Sequence, residues 1–150
     1  MTDDGMELTR DETLRALAAL EASWRHDDQA LEALGAAEEY EQPLPVLLAD
    51  YGHRTLRALL TIAFSGGTAA PEEMPELTER MRDNAIYRLS EVLGDALEVW
   101  GDTADSSPAA AGHIGRTVMS AIVAVSQSDT GEDILPLLAA LRAHTLQDRA

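Results

Sequence analysis

Four histidines, no cysteine and no lysine set the range of chemistry open to this chain. The histidine with a companion is His53. It follows Asp50 at the i, i+3 spacing that places a carboxylate and an imidazole on one face of a helix. A helical dinuclear metal site uses two Glu-x-x-His pairs plus further carboxylates. Here no Glu stands three residues before any histidine, and no His-Glu-x-x-His occurs. His53 is therefore expected to be a hydrogen-bonded packing residue at the edge of the core. His26 and His144 fall in or just after the last turns of expected helices, where the helix dipole favours a cation. His113 falls in the first turn of another, without an obvious partner.

Carboxylate pairs are the second possibility. Glu76-Leu77-Thr78-Glu79 is followed by Asp95-Ala96-Leu97-Glu98. Together they resemble the paired acidic motifs of all-helical nucleotide pyrophosphohydrolases, a resemblance that implies Mg²⁺ held against a pyrophosphate. The second pair runs in the reverse order, however. Both pairs also fall on one expected helix, whereas a shared metal needs ligands converging from neighbouring helices. The expectation is no resident metal and no cofactor. Nor is there a Gly-x-Ser-x-Gly elbow. Ser65-Gly66-Gly67 reads as a helix stop rather than a phosphate loop. Without cysteine there are no disulfides, zinc–thiolate sites or thiol nucleophiles. Without lysine there is no Schiff-base chemistry and no P-loop lysine. A non-enzymatic protein is expected.

Charge is the strongest compositional signal. The chain carries 27 Asp and Glu against 11 basic residues, all of them Arg, for a net charge of −16. That exceeds the roughly 2–8 that solubility asks of a small domain. The arginines are scattered from Arg10 to Arg149 among more numerous acids, so direct binding to nucleic acid or to an anionic membrane is disfavoured. At 45% hydrophobic residues, the chain has ample material for a core. The acidic N-terminus reads as no signal peptide, and no apolar run approaches the ~20 residues of a membrane span. A cytoplasmic location is the expectation. The Ala, Arg, Asp and Leu diet matches GC-rich bacterial genes, which also accounts for the missing lysine.

The elements that must position these residues are all helical. Apolar residues recur at helical spacing throughout, and two-residue alternation is absent. The first helix is expected from about Asp11 to Arg25, and a second, capped by Asp27 or Asp28, to about Tyr40. Pro43 and Pro45 open a third, about Leu44 to Phe64, apolar but for a stripe of Asp50, Arg54, Arg57 and Thr61. This is the expected central helix. A fourth runs from about Glu76 to Trp100, and a fifth opens at Pro108 and lies deep in the bundle between Thr117 and Val125. A sixth covers Ile134 to Gln147. The fold expected is a single all-α bundle of five or six helices over residues 1–150, with residues 1–10 flexible and loops near 65–75 and 101–107.

On the fourth helix the apolar residues, Leu77 through Leu89 and Val92 to Trp100, project to one side. Glu76, Glu79, Asp83, Glu91, Asp95, Glu98 and Asp102 project to the other as an acidic ridge. Three functions are compatible with this pattern. The first is a helical interaction or regulatory module that self-associates, as a homodimer, through an apolar helix face. The second is an acidic inhibitor or nucleic-acid mimic, which would block a basic partner through the ridge. The third is a small-molecule pocket lined by Trp24, Tyr51, His53, Phe64, Tyr87 or Trp100, although few aromatics in a core are usually packing.

Overall fold

Thr9 opens the first helix, α1 (Arg10–Trp24), through a reciprocal cap. Its hydroxyl accepts the Glu12 N–H at 3.1 Å, and the Glu12 carboxylate accepts the Thr9 N–H at 2.8 Å. The helix ends in a Schellman turn: the Asp27 N–H reaches the Ala22 carbonyl and the His26 N–H that of Ser23. His26 takes the left-handed position at φ 55°, a conformation that glycine usually supplies. Asp27 then caps α2 (Asp28–Gly35) by accepting the Ala30 N–H. Arg15 ties the end of α2 to α1, donating from Nε and Nη2 to the Leu34 carbonyl and from Nη1 to Gln42 O.

The computed structural model describes residues 7–36, 41–65, 70–126, 139, 142–143 and 145–147, without the side chains of 63–65 and 126. Regular structure among the described residues is helical throughout. After α2 come α3 (Leu44–Ser65), a 3₁₀ turn (Pro71–Glu73), α4 (Met74–Asp83), α5 (Ala85–Thr103) and α6 (Pro108–Ser126). The fold is all-α, as expected.

α3 is the central helix, packing against α1, α4, α5 and α6. The main core is built from Leu17 and Leu20 of α1, Leu31 of α2, Leu47, Leu48 and Leu56 of α3, Leu97 of α5, and Ile114, Val118, Met119 and Ile122 of α6. A smaller cluster of Leu60, Leu77 and Met81 joins α3 to α4. α1 and α6 approach closely because Gly115 leaves room for Ser23, whose buried hydroxyl donates to Ala19 O at 2.7 Å. On α6, one face is buried, while Ser120 and Ala124 reach the surface. It is therefore less enclosed than its composition suggests.

Four boundaries differ from expectation. The stretch expected as one fourth helix is two. Asn84, at ψ 128°, ends α4 and caps α5, its side chain accepting the Ile86 N–H at 2.9 Å. The loop expected through residue 75 is shorter, because Pro71 starts a 3₁₀ turn that runs directly into α4. α5 continues to Thr103, past the expected stop at Trp100. α2 ends at Gly35; residues 37–40 lie outside the described set, as do residues 1–6 of the expected flexible start. Most of the expected sixth helix is also outside it. The described residues there are helical, and Arg142 pairs with Glu21 of α1 at 3.0 Å.

Candidate functional site

The break at Asn84 resets the rotational phase of everything that follows, and α5 presents a different side to the bundle than a continuous wheel places there. Its inner seam is Tyr87, Ser90, Glu91, Gly94, Leu97, Glu98 and Gly101, of which Gly94, Leu97 and Gly101 are buried. Glycine makes this seam possible. A Cβ at Gly94 would collide with the ring of His53, and one at Gly101 would press on Pro45 O and the Ala49 methyl. Two helices whose facing residues are this small pack with their backbones close together. The polar side of α5 therefore docks on α3, and the bulky side faces out.

Between α3 and α5 lies a four-residue polar network. Arg57 donates from Nη2 and Nε to the two oxygens of Glu91, at 2.8 and 3.1 Å. His53 Nδ1 stands 2.9 Å from Glu98 Oε1, and His53 Nε2 stands 3.4 Å from Arg57 Nη2. Arginine has only donors, so Nε2 is the acceptor there and the Nδ1–H donates to Glu98. The hydrogen bonds from Arg57 hold the Glu91 carboxyl below the usual carboxylate range, and Glu91 in turn raises Arg57. His53 is the hydrogen-bonded boundary residue expected, but its carboxylate partner is Glu98 on α5 rather than Asp50. Asp50 pairs instead with Arg54 one turn on, at 2.9 Å.

The seven acids expected to form one ridge are divided. Glu76, Glu79 and Asp83 are exposed on α4; Glu91 and Glu98 turn toward α3; Asp95 and Asp102 are exposed on a flank of α5. The two carboxylate pairs also separate onto different helices, α4 and α5, so the expectation that both share one helix is corrected.

The outward side of α5 carries what the sequence pattern had assigned to the core. Ile86 is 64% exposed, Leu89 70%, Val92 64%, Val99 63% and Trp100 38%. Ile86, Leu89, Leu93, Ala96 and Trp100 follow one another at alternating steps of three and four, the spacing of a coiled-coil seam. Leu93 is partly buried against the main core; Ala96 is exposed. From Ile86 to Trp100 this strip runs about 21 Å along α5. Monomers rarely leave apolar patches of more than a few hundred Å² uncovered.

The candidate pocket residues are not gathered in one place. Tyr51 is buried in the main core, where desolvation raises its pKa, and Trp24 packs on that core's edge. Trp100 belongs to the outer strip, and the Phe64 side chain lies outside the described residues. Among the five whose side chains are described, Tyr87 alone lines the cleft of about 650 Å³ between α3, α4 and α5, along with Arg57, Met81, Arg82 and Arg88. No helix of the described residues is long and apolar enough to cross a membrane. No protein-family model, curated protein or solved structure matches this chain.

Proposed function

We propose that this protein is a non-enzymatic helical interaction module that self-associates, two copies pairing antiparallel through the outer face of α5. The observation that carries this reading is the apolar strip itself, a seam at coiled-coil spacing on a helix whose other side already binds the bundle. A second copy is the occupant because the strip matches its own spacing. Its flank also carries a charge order that selects one orientation.

Arg88, Asp95 and Asp102 follow at seven-residue steps just outside the flanking Val92 and Val99. All three are exposed, and Arg88 also donates to the Arg82 and Asp83 carbonyls at the end of α4. In an antiparallel pair, like flanks meet running in opposite directions. Arg88 of each copy then faces Asp102 of the other. Asp95 comes near its own counterpart at the two-fold axis, so the favourable charge contacts are the two outer pairs. Such rim pairs add about 0–1 kcal/mol each and act mainly on orientation. The affinity comes from the apolar residues, each worth about 1.5–3 kcal/mol if fully buried. The acidic-decoy reading has a weaker footing, because two of its seven carboxylates are engaged by α3 and the rest sit on two helices.

Sedimentation equilibrium tests the proposal. The wild-type chain is expected to be a dimer at micromolar concentration. Leu89→Asp with Val92→Asp is expected to be monomeric with an unchanged helical circular-dichroism spectrum. Arg88→Asp should weaken the dimer, and adding Asp102→Arg should restore it. A wild-type chain that stays monomeric at several hundred micromolar would refute the reading.

A further inference from the structure

A second feature of α5 lies where its inner seam meets the flank of the outer strip, and it shares Asp95 with the edge of the proposed dimer face. One nitrogen of His53, a carboxylate oxygen of Asp95 and a carboxylate oxygen of Glu98 all lie within 4.8 Å of one another. The three residues come from two helices: Asp95 and Glu98 stand at i, i+3 on α5, and His53 reaches across from α3. Beside them opens a cleft of about 180 Å³ lined by Asp50, Glu98 and Asp102, with Gln42 and Val46. Two carboxylates converging on an imidazole beside an acid-lined cleft with room for several waters are the parts of a cation site with open coordination positions.

We infer that His53, Asp95 and Glu98 bind a first-row divalent transition metal, with water from the Asp50–Asp102 cleft completing its shell. The imidazole sets the class, since nitrogen ligands favour Zn²⁺, Co²⁺ or Ni²⁺ over Mg²⁺ and Ca²⁺. Bonds of about 2.0–2.2 Å require the donors to close up by less than about 1 Å. Asp95 and Glu98 are exposed side chains, Glu98 already within 2.9 Å of Nδ1, while Gly94 lets the ring lie against the α5 backbone.

Binding exchanges the Nδ1 proton for the metal. The ring's one N–H leaves Nδ1 and is regained at Nε2 by exchange with solvent, so the imidazole stays neutral and no proton is released net. There the Arg57 guanidinium, 3.4 Å away, gives up its contact with Nε2 and keeps its bonds to Glu91. Glu91 Oε1, now 3.9 Å away, closes in to accept the N–H. A metal-bound histidine normally donates its second N–H to a group of this kind.

Calorimetric titration of the chelator-treated full chain with Zn²⁺ and with Co²⁺ tests the inference. One equivalent is expected per chain. Mg²⁺ and Ca²⁺ at the same concentration should bind at least about tenfold more weakly. Glu98→Gln and His53→Gln should each weaken Zn²⁺ by about tenfold or more. Both residues also brace α3 against α5, so Asp95→Asn is the decisive variant. It should weaken Zn²⁺ by about tenfold or more without lowering the metal-free melting temperature. Affinity unaltered in Asp95→Asn, several equivalents bound alike, or Zn²⁺ binding no tighter than Mg²⁺ would each overturn the site. Any of those results would mean diffuse attraction of cations to an acidic surface.

Discussion

Arg57 holds Glu91 by two parallel N–H···O bonds, and that contact sets how the α3–α5 interface responds to acid. The folded-state pKa of Glu91 lies below its ordinary value because of the Arg57 hydrogen bonds. A depressed carboxyl pKa stabilises the fold fully above the unfolded-state value of about 4.3. This contribution is lost as pH falls through the lower, folded value. Both side chains keep contact with water, so the pair is worth about 0.5–1 kcal/mol. Glu91→Gln should therefore be less stable than wild type near pH 7, with the difference closing near pH 3. Urea melts at the two pH values read this directly. Histidine at position 26 is the other residue-scale departure, holding a left-handed turn without being glycine. The dipole argument made for it from sequence does not bear on that geometry, because the residue lies just past the helix end.

At the scale of elements, the helical class, the central place of α3 and the start of α6 at Pro108 were legible from periodicity and proline placement. The orientation of α5 was not, for two physical reasons. Asn84 is a competent N-cap, but a single capping residue between two apolar-periodic stretches is easily passed over, and missing it carries the wrong phase into α5. The seam that packs is also made of Gly94 and Gly101, which add close approach but almost no hydrophobic signal. A wheel drawn on side-chain apolarity then points Leu89 and Val92 inward. The pairing of His53 with Glu98 was hidden for a related reason, since it joins residues 45 apart across two helices. The glycine seam predicts opposite signs for two similar substitutions. Gly94→Ala gains about 1 kcal/mol of helix propensity but forces the His53 ring aside, for a net loss of about 1–2 kcal/mol. Gly35→Ala has nothing within 4 Å of its new methyl and should gain about 0.5–1 kcal/mol. Thermal melts of the two variants check both signs.

At the scale of the whole molecule, −16 charges on 150 residues oppose compaction. Screening should relieve this repulsion by more than it weakens the few surface ion pairs. Raising NaCl from about 10 to 150 mM is expected to lift the melting temperature by about 2–5 °C, a rise that differential scanning calorimetry would resolve. A drop would mean that the ion pairs outweigh the net charge. The α5 docking surface has a further consequence. The helix is attached through a glycine seam and a hydrated polar network, with Leu97 its one fully buried large side chain. With less apolar side-chain surface buried than α3 or α6, it is expected to open locally at a lower free-energy cost than either. If the proposed partner binds this same helix, docking α5 onto its own chain and docking it onto a second copy become linked equilibria. An apparent dimer constant would then contain the fraction of chains with α5 seated. Any change that seats it more firmly would tighten the dimer without touching the interface.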